Sequence, residues 1–128
     1  MKDCPFCDIS SESVFAENDR FIAILDRFPI SPGHALLIPR RHCASFFELD
    51  SRERADLLAL LDVVKDRLDA EHHPDAYNIG INDGGEAGQT IFHLHVHLIP
   101  RYRGDRPDPR GGVRWILPEK AVYWEDES

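Results

Sequence analysis

Three histidines, His93, His95 and His97, alternate with Phe92, Leu94, Val96 and Leu98 in the stretch Ile91 to Pro100. Successive side chains of a strand point to opposite faces. A strand here would send the apolar set into a core and line all three imidazoles along the other face. A core has no use for three imidazoles in a row, because each is costly there unless hydrogen-bonded. The second face is therefore predicted to do chemistry or to hold a metal. At a rise of about 3.3 Å per residue, His93 and His97 would lie about 13 Å apart at their α-carbons. One ion could take two alternating histidines, but three on a straight strand converge on it with difficulty. The alternative is a histidine nucleophile whose neighbours orient it and bind phosphate. A neutral imidazole, with a reference pKa of about 6.5, is a good nucleophile near neutral pH. It can attack phosphorus and split one hard displacement into two easier ones.

Directly upstream lies Asn82-Asp83-Gly84-Gly85-Glu86-Ala87-Gly88-Gln89-Thr90. Glycines such as Gly88 let a backbone approach an anion closely and aim its N–H groups at it. Gln89 and Thr90 add side-chain donors. No Gly-Lys-Ser/Thr follows and no helix comes next, so this is not a Walker loop. Joined to the histidine strand, it reads as a phosphate cradle. Cys4-Pro-Phe-Cys7 has the two-residue gap of a zinc knuckle, but zinc needs two further ligands. Arg101, Arg103, Arg106 and Arg110 could neutralise an anionic leaving group, or form a solvated charged loop that Asp105 and Asp108 dilute.

These residues need a scaffold. The chain has 128 residues, enough for one domain with a single core. Strands are predicted at Ser13 to Ala16, Phe21 to Asp26, His34 to Pro39, Tyr77 to Asn82 and Phe92 to Ile99. One helix is predicted from about Ser51 to Glu71. Asp50 caps it, Glu53 completes a capping box, and Pro74 follows its end. Leu57, Leu61, Val64 and Leu68 form its apolar stripe. Leu58, Leu60 and Val63 widen the stripe beyond one sheet contact, which points to a second subunit or to a small core that absorbs it all. The tail from Tyr102 to Ser128 carries Trp115, Tyr123 and Trp124, and aromatics of that size are expected to pack on the body or on a partner. The formal net charge of -8 argues against non-specific nucleic-acid binding as the main role. No apolar run approaches the roughly 20 residues of a membrane helix. The N-terminus has no apolar signal core, and three cysteines fit a reducing compartment, so a cytoplasmic location is expected.

His-Leu-His-Val-His-Leu-Ile resembles the signature of the histidine triad (HIT) superfamily of nucleotidyl hydrolases and transferases. Asp26, then Ser31-Pro32-Gly33-His34-Ala35-Leu36-Leu37-Ile38-Pro39 and Arg41-His42, resemble the same family. Glu86-Ala87-Gly88-Gln89-Thr90 is most similar to the Fhit branch, the dinucleoside polyphosphate hydrolases. Asn82 and the cysteine pair are more similar to bacterial and Hint-type members, since the Fhit branch has glutamine where this chain has Asn82. The resemblance covers about residues 4–101 and leaves the tail, 102–128, outside.

The resemblance implies an α+β fold, a five-stranded antiparallel sheet with one main helix, and a homodimer whose sheets join. It implies that His95 is the nucleophile and forms a covalent nucleotidyl-imidazole at the α-phosphorus. His97 would bind phosphate oxygens, and His34 and His93 would support the site. Asp26 would bind the ribose hydroxyls, and Asn82, Gln89 and Thr90 the phosphates or leaving group. Cys4, Cys7, His42 and His93 would hold a structural zinc, and a magnesium ion on a polyphosphate substrate is compatible with this chemistry. The expected function is hydrolysis at the α-phosphate of nucleotide conjugates such as diadenosine tetraphosphate. The rivals are a Hint-like nucleoside phosphoramidase and, from another class, a non-catalytic nucleotide- or zinc-binding module.

Overall fold

The computed structural model describes residues 4–125. Five strands form one antiparallel sheet: β1 (Val14–Glu17), β2 (Phe21–Leu25), β3 (Ala35–Pro39), β4 (Ala76–Gly80) and β5 (Val96–Arg101), in the order β1-β2-β3-β5-β4. One helix, α1 (Ser51–His72), packs on one face. The expected fold class is the observed one.

β2 and β3 are apolar throughout because both their faces are covered. Phe21, Ala23, Ala35 and Leu37 pack with Leu57, Leu60, Val64 and Leu68 of α1. Ile22, Ile24, Leu36 and Ile38 form a second cluster on the opposite face, under Phe6, Ile9 and Val14. β5 divides in the same way. Val96 and Leu98 join the α1 core, while His97, paired in register with Leu36, takes the opposite face. That face carries the site.

The helix begins as predicted. The Asp50 carboxylate accepts from the Glu53 N–H at 2.8 Å, and the Glu53 carboxylate accepts from the Asp50 N–H at 3.0 Å. Glu53 is buried, and Arg41 saturates it with two hydrogen bonds of 3.0 Å. The buried stripe runs through Leu60 rather than Leu61, and Leu58 and Val63 stay exposed. The helix ends at His73, whose φ of 52° is left-handed. Gly33, at φ 87°, fits against it, for a Cβ there would lie 2.9 Å from His72.

The structure shifts several strand ends, which puts Asp26 and His34 just outside β2 and β3, and two of the shifts matter most for the site. β4 stops at Gly80, which leaves Asn82 in the following loop. β5 starts at Val96, so Phe92 to His95 lie outside the ladder. The Leu94 N–H donates to the Cys43 carbonyl at 2.7 Å and the Gln89 amide to the Ile91 carbonyl at 3.1 Å. These bonds hold the segment against the loop after β3 instead of against β4. The three imidazoles therefore do not share one strand face.

Candidate active site and metal centre

His95 lies at the start of the turn into β5. Its Nδ1 is 2.9 Å from the His93 carbonyl. A carbonyl only accepts, so Nδ1 carries the proton and Nε2 holds the free lone pair. The Phe6 ring meets the imidazole edge-on at 5.0 Å.

His97, two residues on, belongs to a relay with a fixed direction. The Ile30 N–H donates to His34 Nδ1 at 3.3 Å. His34 Nε2 therefore carries a proton and donates it to His97 Nδ1 at 2.9 Å. His97 is left with its proton on Nε2, a donor for an anion beside His95. The Asp26 carboxylate lies 3.4 Å from His34 Nε2 and accepts from the Phe28 N–H at 2.9 Å. Burial, then the neighbouring His95 and His34, pushes the His97 pKa down to about 4. Burial also lowers that of His34, against the opposing pull of Asp26. Both rings are thus neutral donors and acceptors at neutral pH.

A cleft of about 520 Å³ opens over these rings. Asp26, His34, Asn82, Gly88, Thr90, His95 and His97 all line it. Two further predicted residues do not. Gln89 is buried; its amide donates to the Ala44 and Ile91 carbonyls at 2.9 and 3.1 Å, and its carbonyl accepts from the Gly84 N–H at 2.8 Å. It braces the glycine loop and offers no donor to the cleft. His93 is wholly buried and faces the other way.

His93 completes the second cluster, with Cys4, Cys7 and His42. Its Nε2 donates to the Pro39 carbonyl at 2.8 Å, so Nδ1 is the lone-pair nitrogen. That nitrogen lies 3.3 Å from Cys4 Sγ, 3.4 Å from Cys7 Sγ and 3.1 Å from His42 Nδ1. His42 Nδ1 is 3.1 Å from Cys7 Sγ. Zinc–sulfur and zinc–nitrogen bonds of about 2.3 and 2.0 Å set ligand–ligand distances of about 3.3 to 3.8 Å in a tetrahedron. The cluster is within a few tenths of an ångström of that, and its two thiols and two imidazoles are a zinc donor set. The Pro39 carbonyl is the outer hydrogen bond that such histidines use. Burial lowers the His93 pKa and keeps the ring in its ligating neutral form.

Asp26, His34 and His97 also converge. Hydrogen bonding argues against a metal there. His34 Nδ1 accepts from Ile30, so its Nε2 holds a proton where a ligand needs a lone pair.

Sequence reasoning missed the apolar part of the cleft. Phe6, Ile30, Ile99, Val113 and Ile116 line it, and the last two come from the tail. No chemical signature marks such residues. Three of the arginines after the triad are engaged elsewhere. Arg101 pairs with Asp105 through two bonds of 2.8 Å and donates to Asn78 at 2.7 Å. Arg106 stacks over Trp115, and Arg110 lies over Trp124 and pairs with Asp108. Arg101, Arg103 and Arg106 line a separate cavity of about 650 Å³ that holds none of the imidazoles. The tail packs on the body, with Ala121 fully buried, while Tyr123 is 70% exposed in the single chain. Residues 126–128 of the tail lie outside the described residues.

Residues 9–104 match the HIT domain. A HIT-like protein of Chlamydia pneumoniae is 43% identical over 100 residues, 77% of this chain and 86% of that protein. The bifunctional bis(5'-adenosyl)-triphosphatase/adenylylsulfatase FHIT of Arabidopsis thaliana is 34% identical over 97 residues, 76% of this chain and 54% of that protein. Among solved structures, a Zn-bound histidine triad family protein from Mycobacterium smegmatis matches with a TM-score of 0.72 at 31% identity, covering 90% of this chain and 91% of that one.

Proposed function

The chain belongs to the HIT domain family, and on that premise we propose that it is a nucleotide hydrolase acting at the α-phosphate of nucleotide conjugates, with His95 as the nucleophile. The observation that carries this is the bond from His95 Nδ1 to the His93 carbonyl, which presents the Nε2 lone pair to the cleft. Nε2 attacks the α-phosphorus, and the bond from phosphorus to the leaving group breaks. The leaving group takes its proton from solvent, with the Thr90 hydroxyl placed to hydrogen-bond it. The imidazolium keeps its Nδ1 proton on the His93 carbonyl. Water then attacks the phosphoramidate, the nucleoside monophosphate departs, and the released proton goes to solvent. His97 Nε2–H donates to the phosphate oxygens throughout, with its direction set by His34 and Ile30. Asp26 stands at the cleft edge where it can accept from ribose hydroxyls.

Cys4, Cys7, His42 and His93 would hold a structural zinc, as the donor set and the Zn-bound relative support. When bound, the ion supplies a closed cross-link between the N-terminal segment and the residue whose carbonyl orients His95. A homodimer is the proposed assembly: β4 is an edge strand, and Leu58, Val63 and Ile79 are exposed.

The second reading, a nucleoside phosphoramidase, has its own support. Among the described residues no lysine or arginine lines the cleft, and a long polyphosphate leaving group calls for cations.

Rapid quench with an α-labelled adenosine conjugate tests the proposal. Label should remain on the protein at millisecond times, and His95→Asn should abolish both label and turnover while mononucleotide binding persists. Full turnover by His95→Asn would overturn the nucleophile assignment. Tight binding without turnover of any conjugate would favour the non-catalytic module.

A further inference from the structure

We propose that the short helical turn Gly112–Ile116 sets substrate selectivity: Val113 and Ile116, with Ile99, form an apolar wall that favours nucleotide conjugates whose leaving group is apolar and carries no further phosphate. This rests on the hydrolase reading above and deepens it. The turn lies beyond residue 104, where the match to the family domain ends. Yet Val113 and Ile116 line the same cleft as His95 and His97.

The turn is held firmly. Gly112, at φ 46°, sits against Asn78, where a Cβ would come within 3.4 Å of the Asn78 amide nitrogen. Asn78 is itself fixed by Arg101 at 2.7 Å. The Trp115 indole N–H donates to the Arg110 carbonyl at 2.8 Å, and Arg114 donates to the Ala121 and Lys120 carbonyls at 3.0 and 2.7 Å. Despite this anchoring, Ile116 is 81% and Val113 62% exposed. An ordered apolar surface beside a nucleophile gains when a bound group takes it out of water.

Charge points the same way. Asp26 is the one charged side chain among the described residues of the cleft. Three of the tail's arginines are engaged within the tail itself: Arg106 on Trp115, Arg110 on Asp108 and Trp124, and Arg114 on the two carbonyls and the Tyr123 ring. A single phosphate finds donors on His97 and the Thr90 hydroxyl, whereas further phosphates placed against Val113 and Ile116 meet hydrocarbon.

The test measures kcat/KM for the N-benzyl amide of adenosine 5'-monophosphate and for diadenosine tetraphosphate, in the wild type, Ile116→Ala and Val113→Lys/Ile116→Lys. The wild type should favour the benzyl amide. Ile116→Ala should lower the benzyl-to-tetraphosphate ratio severalfold, and the double lysine variant by more than about 10-fold, chiefly through KM. A ratio unchanged in both variants overturns the proposal, and so does a wild type that prefers the tetraphosphate. Failure of the wild type to turn over either substrate overturns the hydrolase reading along with it. Turnover with an unmoved ratio leaves that reading standing and removes the wall alone.

Discussion

Replacing His97 by glutamine should flatten the acid limb of the stability curve. Burial, with His95 and His34 beside it, lowers the His97 pKa to about 4 in the folded chain. In the unfolded chain the ring titrates near its reference value of about 6.5. At pH 7 it is neutral in both states and contributes nothing to the pH dependence. Below about 6.5 the unfolded chain binds the proton and the folded chain resists it, so stability falls with pH and the loss levels off below about 4. The full span corresponds to about 3 kcal/mol, and the part reached at pH 5 to about 2 kcal/mol, both upper values because the ring keeps some solvent contact. Urea denaturation of the two proteins at pH 7 and pH 5 measures it. The metal centre and the titrating groups outside the relay are common to both, so the difference between the two losses reports on His97 within its relay. Wild type should lose about 2 kcal/mol more than His97→Gln between the two pH values. Equal losses would show that the ring is not held neutral by burial in the relay.

Cys4→Ser should reduce bound zinc from near-stoichiometric to background by elemental analysis. It should also raise hydrogen exchange at Phe6, which sits between the two cysteines and packs on His95. Glu53→Ala removes the reciprocal helix cap and the buried partner of Arg41, so chemical denaturation should show a loss of about 2 kcal/mol. Leu58→Asp alters an exposed helix position, so its melting temperature should stay near that of wild type while sedimentation shifts from dimer toward monomer.

The alternation of histidine and apolar residues by itself determined that this stretch lays one side against the core, because Leu94, Val96 and Leu98 had to be buried. The capping box, the helix and four of the five strand positions follow from equally local causes: side chains that bond their own backbone, and apolar spacing that matches one period. The cysteine pair has the spacing of half a zinc site, which alone lacks two ligands, and its partners His42 and His93 were reachable only through resemblance. Tertiary structure decided what local rules do not contain. His93 turned out of the row because the Cys43 carbonyl and Gln89 captured the backbone before β5 could begin. Gln89, a donor by type, became a brace because its loop closed around it. Which nitrogen of His95 and His97 holds a proton depends on acceptors and donors as distant in sequence as Ile30, and the apolar wall of Val113 and Ile116 depends on a tail folded back over β4. Each of these is a partnership between segments far apart in the chain, and a partner chosen by folding leaves no period or motif in either segment.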